Sequence, residues 1–250
     1  MDKRGCESTR LLTCMLKDIK TETILFLDIE TVPAYAEYAD VPPAFQKLWD
    51  LKARYIKKEK ESDGPAELYR NAGIYAEFGR IICISAGFLR GNVFRIKSFS
   101  GHDEKQLLEE FSGLVVKHFN KKDSLLCAHN GKEFDFPFIG RRMLVHGLPV
   151  PAILDLAGKK PWEVKLLDTM ELWKFGDFKS YTSLSLLSAV FDIPTPKDDI
   201  DGSMVYNVYY KEKNMMRIVK YCQKDVLTVA QILLRMQGRP LIRDEQVVIT

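Results

Sequence analysis

At 250 residues, 46% hydrophobic and 28% charged, the chain has the length for one sizeable core and the composition of an ordinary globular protein. A net charge of +3 excludes a polycation that coats nucleic acid without selectivity, so any such contact must come from a local patch. Five cysteines with no C-x-x-C pair argue against a disulfide framework or a cysteine zinc site and for a reducing compartment. No apolar run approaches the ~20 residues that span a bilayer, and no long apolar stretch near the N-terminus reads as a signal peptide. The default expectation is therefore a cytoplasmic protein with no membrane partner.

Residues 1–20 carry no clear period and read as an N-terminal extension; Met15 is an alternative start, since a more coherent pattern begins there. The apolar run Ile24-Leu25-Phe26-Leu27 then enters Asp28-Ile29-Glu30-Thr31, which predicts a buried central strand over residues 23–30. Alternate side chains of a strand share a face, so Asp28 and Glu30 project together, roughly 7 Å apart. Two carboxylates so placed repel, and the pair is tolerable if one is protonated or if a cation sits between them. The competing reading is that they mark only where the strand meets solvent. Residues 33–75, punctuated by Pro33, Pro42 and Pro43 and holding a helix over 44–60, read as an insertion beside this strand, with a lid or a partner surface as its roles. Its basic segment at 52–58, interleaved with Tyr55, reads as a solvated helix face rather than a phosphate-tracking one.

Residues 80–89 and 93–99 form a predicted hairpin across Gly91-Asn92. A helix follows, with an apolar face of Leu107, Leu108, Phe111, Leu114, Val115 and Phe119; Asp103 is better placed than Ser100 to cap it. A fourth strand over 124–128 ends at His129-Asn130-Gly131. A helix over 134–145 stops at Gly147-Leu148-Pro149. A fifth strand is expected at 165–170, a helix at 183–191 ending before Pro194 and Pro196, and a polar loop at 198–210. The last long helix covers 214–237 and ends at Gly238-Arg239-Pro240, leaving 241–250 as a C-terminal tail. A hairpin followed by alternating strands and helices indicates an α/β domain with a mixed sheet.

Three places supply possible partners for Asp28 and Glu30. Asp135 lies in the first turn of a helix that follows a strand, and so is delivered to the carboxyl end of the sheet; an acid there also complements the helix dipole. Asn130, Phe134 and Phe136 cluster around it, although Phe136 and Phe138 are better read as core. Tyr221 and Asp225, four residues apart, share a helix face beside the stripe Ile218, Val226, Val229 and Leu233. A carboxylate beside that stripe needs a partner, either a cation or a nearby Lys or Arg. Asp168 reads as the polar end of the fifth strand. Taken together, four acids and a tyrosine allow hard oxygen ligands for two Mg²⁺ or Mn²⁺ ions, which commonly serve phosphate chemistry.

Asp28-Ile29-Glu30-Thr31, Asn130-Gly131-x-x-Phe134-Asp135-x-Pro137-Phe138-Ile139 and Tyr221-Cys222-x-x-Asp225-Val226 occur in the order of the DEDDy 3′–5′ exonucleases of the ribonuclease H-like superfamily. The chain resembles the stand-alone, PolB-like branch, similar to the exonuclease domains of family-B DNA polymerases. The resemblance implies a mixed five-stranded twisted sheet flanked by helices, an exonuclease domain over about 21–240, and hydrolysis of nucleotides from the 3′ end of DNA, single-stranded by preference, with RNA as the alternative. A non-catalytic module that binds nucleic acid or a polymerase is the rival of another class. The resemblance also implies roles. Asp28 would bridge two Mg²⁺ or Mn²⁺ ions. Glu30 and Asp225 would hold the ion that carries the attacking water, Asp135 would hold the second ion, and Tyr221 would orient the water. Thr31, Asn130 and Phe134 are the candidates for contact with the terminal nucleotide. Arg141, Arg142, Lys159 and Lys160 are candidates for backbone phosphates.

Overall fold

The computed structural model describes residues 16–57, 60, 62–177, 181–194 and 200–250. Met15, Cys6, Cys14, Lys58, Thr195 and Pro196 lie outside the described residues. The strands are β1 (Ile24–Pro33), β2 (Gly79–Arg90), β3 (Val93–Ser100), β4 (Leu125–Ala128), β5 (Leu166–Asp168) and β6 (Val247–Ile249). The helices are α1 (Pro43–Ala53), α2 (Pro65–Leu68), α3 (Glu104–His118), α4 (Asp135–Val145), α5 (Thr169–Lys174), α6 (Leu184–Val190), α7 (Val205–Tyr210) and α8 (Met215–Met236). No helix among the described residues is long and apolar enough to cross a membrane.

The sheet order is β5-β4-β1-β2-β3-β6. The β1–β2 and β2–β3 pairs are antiparallel, whereas β4 lies parallel to β1, β5 to β4 and β6 to β3. The mixed α/β sheet is thus as expected, but it has six strands rather than five. The extra strand is the short Val247–Ile249 segment, which joins the outer edge beside Phe94, Arg95 and Ile96. Two further elements differ from the sequence expectation. The fifth strand ends at Asp168, whose carboxylate accepts hydrogen bonds from the N–H groups of Met170 and Glu171 and so starts α5. Residues 205–210 are helical because Val205, Val208 and Tyr209 bury against the sheet's flank, although β-branched and aromatic residues are weak helix formers.

The parity of β1 divides the core. Leu25, Leu27 and Ile29 pack with Leu108 and Phe111 of α3 and Phe136, Phe138 and Ile139 of α4. Ile24 and Phe26 pack on the other side with Val226, Val229 and Leu233 of α8. Helix α8 approaches the sheet closely at Gly87, where an added Cβ would lie 2.5 Å from the Phe94 ring and 2.7 Å from Val226. That approach brings the Tyr221–Asp225 turn of α8 beside the end of β1. The segment between β1 and β2 builds a small core of its own: Trp49 is fully buried against Val41, Leu68, Tyr69 and Ala72, and its indole N–H donates to the Pro65 carbonyl at 2.7 Å.

Candidate active site

Strand β4 ends before β1 does. The last paired residue of β1 on that side is Phe26, opposite Cys127, while β2 continues alongside as far as Pro33. From Asp28 onward the β4 edge of β1 is open, and this is the crevice outside the strand ends where α/β sheets bind ligands. The N–H of Ile29 points to that open edge and donates to Asp135 Oδ1 at 3.1 Å. One hydrogen bond therefore ties the centre of the sheet to the first turn of α4. A bulge between Glu30 and Thr31 re-aims the strand just past the two acids.

Asp28 and Glu30 follow Ile24 and Phe26 in parity, so they face α8. The Cys222 thiol donates to the Asp28 carbonyl at 3.4 Å. Ligand atoms of Asp28, Glu30 and Cys222 lie within 4.8 Å of one another. The Tyr221 hydroxyl is hydrogen-bonded to the Asp225 carboxylate. A cleft of about 650 Å³ opens over this point. Asp28, Glu30, Thr31, Asn130, Phe134, Asp135, Tyr221 and Asp225 all line it. Of the eight, Glu30 and Asp135 are buried and the others keep a part-open surface.

The electrostatics follow from crowding acids in a poorly solvated place. Burial, then the charges of Glu30, Asp225 and Asp135, holds the Asp28 carboxyl well above the usual carboxylate range. Burial and Asp225 do the same to Glu30. Asp135 is pushed up to about 7 by burial, despite the bond from Ile29. Burial and the neighbouring carboxylates raise the Tyr221 phenol far out of reach of neutral pH, so it remains a donor. Asp28 Oδ2 is buried with no hydrogen-bond partner among the described residues. A buried, unpartnered carboxylate oxygen facing further carboxylates is costly as a protein-only arrangement and fits a hard divalent cation.

Asp168 is not a member of this group. Its carboxylate accepts the N–H of Asn130 at 2.9 Å and of Lys132 at 3.0 Å while capping α5, and so shapes the loop that presents Asn130. Asn130 adopts φ 62° in that loop, and its Oδ1 is buried without a partner among the described residues. His129 is held by Thr169 and by the Thr182 carbonyl, with burial lowering its pKa. Phe136 and Phe138 are core. Arg142 forms a buried pair with Glu104, and Arg141 and Lys159 line depressions away from the cleft.

Sequence reasoning missed a whole wall of the cleft: Arg70, Asn71, Gly73 and Ile74 from the end of the 33–75 segment. It also missed Tyr181, Ser203, Met204, Tyr206 and Asn207. Their arrival at the cleft depends on contacts distant in sequence, which no local period records.

No curated protein matches the chain. It is similar in structure to the family B DNA polymerase from the hyperthermophilic archaeon Pyrobaculum calidifontis, with a TM-score of 0.49 and 16% identity. The match covers 84% of this chain and 24% of that one, so the chain spans about a quarter of the polymerase's length. Residues 74–242 match the family described as predicted 3′–5′ exonuclease related to the exonuclease domain of PolB. That span contains Asp135, Tyr221 and Asp225 but begins after β1, so it is the fold that brings Asp28 and Glu30 to them. The matched span is more than half of the 250 residues, and the chain belongs to this family of predicted PolB-related 3′–5′ exonucleases.

Proposed function

We propose that the protein hydrolyses phosphodiester bonds one nucleotide at a time from the 3′ end of single-stranded DNA. The observation that carries this reading is the convergence of Asp28, Glu30, Asp135, Asp225 and Tyr221 on one cleft around the buried, unpartnered Asp28 Oδ2. Asp28, Glu30, Asp135 and Asp225 would hold two Mg²⁺ or Mn²⁺ ions. When bound, such ions lower the pKa of the attacking water and offset charge on the leaving 3′ oxygen.

The chain's own groups do the rest. Ile29 N–H fixes the Asp135 carboxylate, so that ligand arrives preorganised. Tyr221 stays protonated and is a poor base; its hydroxyl, held by Asp225, orients the attacking water. Phe134 lines the cleft, and stacking of its ring on the terminal base would be worth about 1–3 kcal/mol. Asn130 lines the same side of the cleft, where its side-chain amide would meet the terminal nucleotide. Thr31 sits at the bulge and lines the cleft.

The test is a comparison of 3′- and 5′-labelled DNA and RNA oligonucleotides with Mg²⁺, with Mn²⁺ and with EDTA. Release of mononucleotide from the 3′ label alone, abolished by EDTA, supports the reading. Cleavage only of RNA moves the substrate class to exoribonuclease. Binding without hydrolysis under every condition replaces the enzyme with a binding module.

A further inference from the structure

A cleft lined by four carboxylates repels the polyanion it is proposed to take. Divalent ions offset that repulsion at the scissile phosphate only, and the rest of the strand still needs a cationic contact. Among the described residues lining the cleft, Arg70 is the one Lys or Arg. It is exposed, and its electrostatic neighbours are Glu37, Tyr206 and Lys211. Glu37 is occupied by its own ion pair with Lys211, and among the described residues Arg70 has no ion pair.

Arg70 is held in place rather than left on a loose loop. The turn over residues 69–74 seats on the end of β1: a Cβ on Gly73 would lie 3.0 Å from the Val32 carbonyl carbon and 3.1 Å from the Pro33 ring. A side chain there would have to push the β1 backbone back by a few tenths of an ångström. Behind the turn, Tyr69 and Ala72 are buried in the small core around Trp49. Arg70, Asn71 and Ile74 are then the outward residues of a turn clamped three residues beyond Glu30. Ile74 is 57% exposed, an apolar side chain kept at the lip of a polar cleft.

We propose that Arg70 binds the first phosphodiester on the 5′ side of the scissile one, with Ile74 packed against the nucleotide between them, so that this turn gives the enzyme a preference for strands longer than two nucleotides. The inference rests on the exonuclease reading and names its strand contact. The polarity follows from chemistry. When one nucleotide leaves from a 3′ end, the scissile phosphate is the last in the chain, and every other phosphate lies 5′ of it. A dinucleoside monophosphate has no second phosphate, and Arg70 has nothing to hold on it.

The experiment compares Arg70→Ala, Arg70→Lys and Ile74→Ala with the unaltered protein on a ten-nucleotide single-stranded DNA and on a dinucleoside monophosphate. Binding of the labelled decanucleotide is also followed by fluorescence anisotropy in EDTA across a salt series. Arg70→Ala should raise KM on the decanucleotide about tenfold with kcat little changed, and lower the salt-dependence exponent by about 0.7, the loss of one phosphate contact on a single strand. The dinucleoside monophosphate should be cleaved equally by both. Arg70→Lys should keep most of the salt dependence, which a merely structural role would not predict. Ile74→Ala should raise KM on both substrates, because the nucleoside it packs against is present in the dinucleoside monophosphate as well. An unchanged anisotropy and salt slope in Arg70→Ala would overturn the inference, as would an equal loss on the dinucleoside monophosphate, which would place Arg70 at the scissile phosphate. Absence of hydrolysis by the unaltered protein sinks the exonuclease reading instead, and the anisotropy comparison still decides whether Arg70 holds a strand.

Discussion

Replacing Asp135 by Asn tests the electrostatics of the cleft without disturbing its shape. The amide keeps an oxygen for the Ile29 N–H bond and cannot ionise. Asp135 is pushed up to about 7 from an ordinary value of 3.8, and it is 4% exposed, so solvent screens it little. A displacement of that size corresponds to about 4 kcal/mol between its two protonation states. The sign is set by linkage. Below the unfolded-state pKa the carboxyl is protonated folded and unfolded, and costs nothing. As pH rises from there to the folded-state pKa, the folded protein must either keep a proton the unfolded chain has lost or charge a buried group, and stability falls. Above about 7 the full cost is present. Asp28 and Glu30 carry the same sign, and both are relieved when the Asp135 charge is removed. Groups the substitution does not touch, such as Glu104 and His129, titrate in both proteins and cancel in the difference. Melting curves by circular dichroism in EDTA should therefore show the two proteins alike at pH 4. The variant should melt higher at pH 8, by roughly 8–16 °C at about 2–4 °C per kcal/mol for a chain of this size. Mn²⁺ should raise the melting temperature of the parent more than that of the variant, since binding to the folded state stabilises it. A melting difference that is the same at both pH values, or a variant that melts lower at pH 8, would refute the claim that these acids are held together against their own repulsion.

Asp28→Ala and Asp225→Ala should each abolish nucleotide release in a labelled-oligonucleotide assay, whereas Tyr221→Phe should lower kcat by about 10- to 100-fold and leave the Mn²⁺-induced rise in melting temperature intact. Glu104 is raised by burial, but hydrogen bonds from Arg142 and His146 outweigh that and hold its carboxyl below the usual range. Glu104→Gln leaves the buried Arg142 without its counter-charge and should cost about 3–5 kcal/mol in urea unfolding at pH 7. The deficit should shrink in acid, because the parent loses this contribution as pH falls through the Glu104 pKa. Gly87→Ala forces a methyl into the Phe94 ring and Val226, and should cost about 1–3 kcal/mol while moving α8 outward. Activity of that variant should fall with it, since Tyr221 and Asp225 ride on the displaced helix.

What was legible in the sequence was what a local period can carry. Strand β1 announces itself as an apolar run and α8 as a repeat of Ile218, Cys222, Val226, Val229 and Leu233, because burial on one face is written at spacings of two or of three to four residues. Helix α5 has a local signature in Asp168 followed three residues later by Glu171: Asp168 ends β5, as expected, and also starts the helix. Helix α7 had none, because Val205, Tyr206, Val208 and Tyr209 would suit a strand equally well and only the flank of the sheet selects the helix. Strand β6 has three strand-forming residues, but its partner lies about 150 positions earlier. The Arg70 wall is of the same kind, fixed by Gly73 against Val32 and Pro33.

The meeting of the site residues is likewise a matter of register. The pairing of Phe26 with Cys127 on one side and of Asp28 with Ser85 on the other sets which face of β1 is which. With Leu25, Leu27 and Ile29 committed to α3 and α4, Asp28 and Glu30 must lie on the α8 side, because side chains alternate. A slip of one residue would keep every motif in the sequence and send both acids toward α3, away from Asp225. The buried apolar residues of β1 therefore serve the site as directly as its carboxylates do. They make the wrong register expensive, since it would turn Ile24 and Phe26 out of the α8 core and bury Asp28 and Glu30 among Leu108 and Phe111.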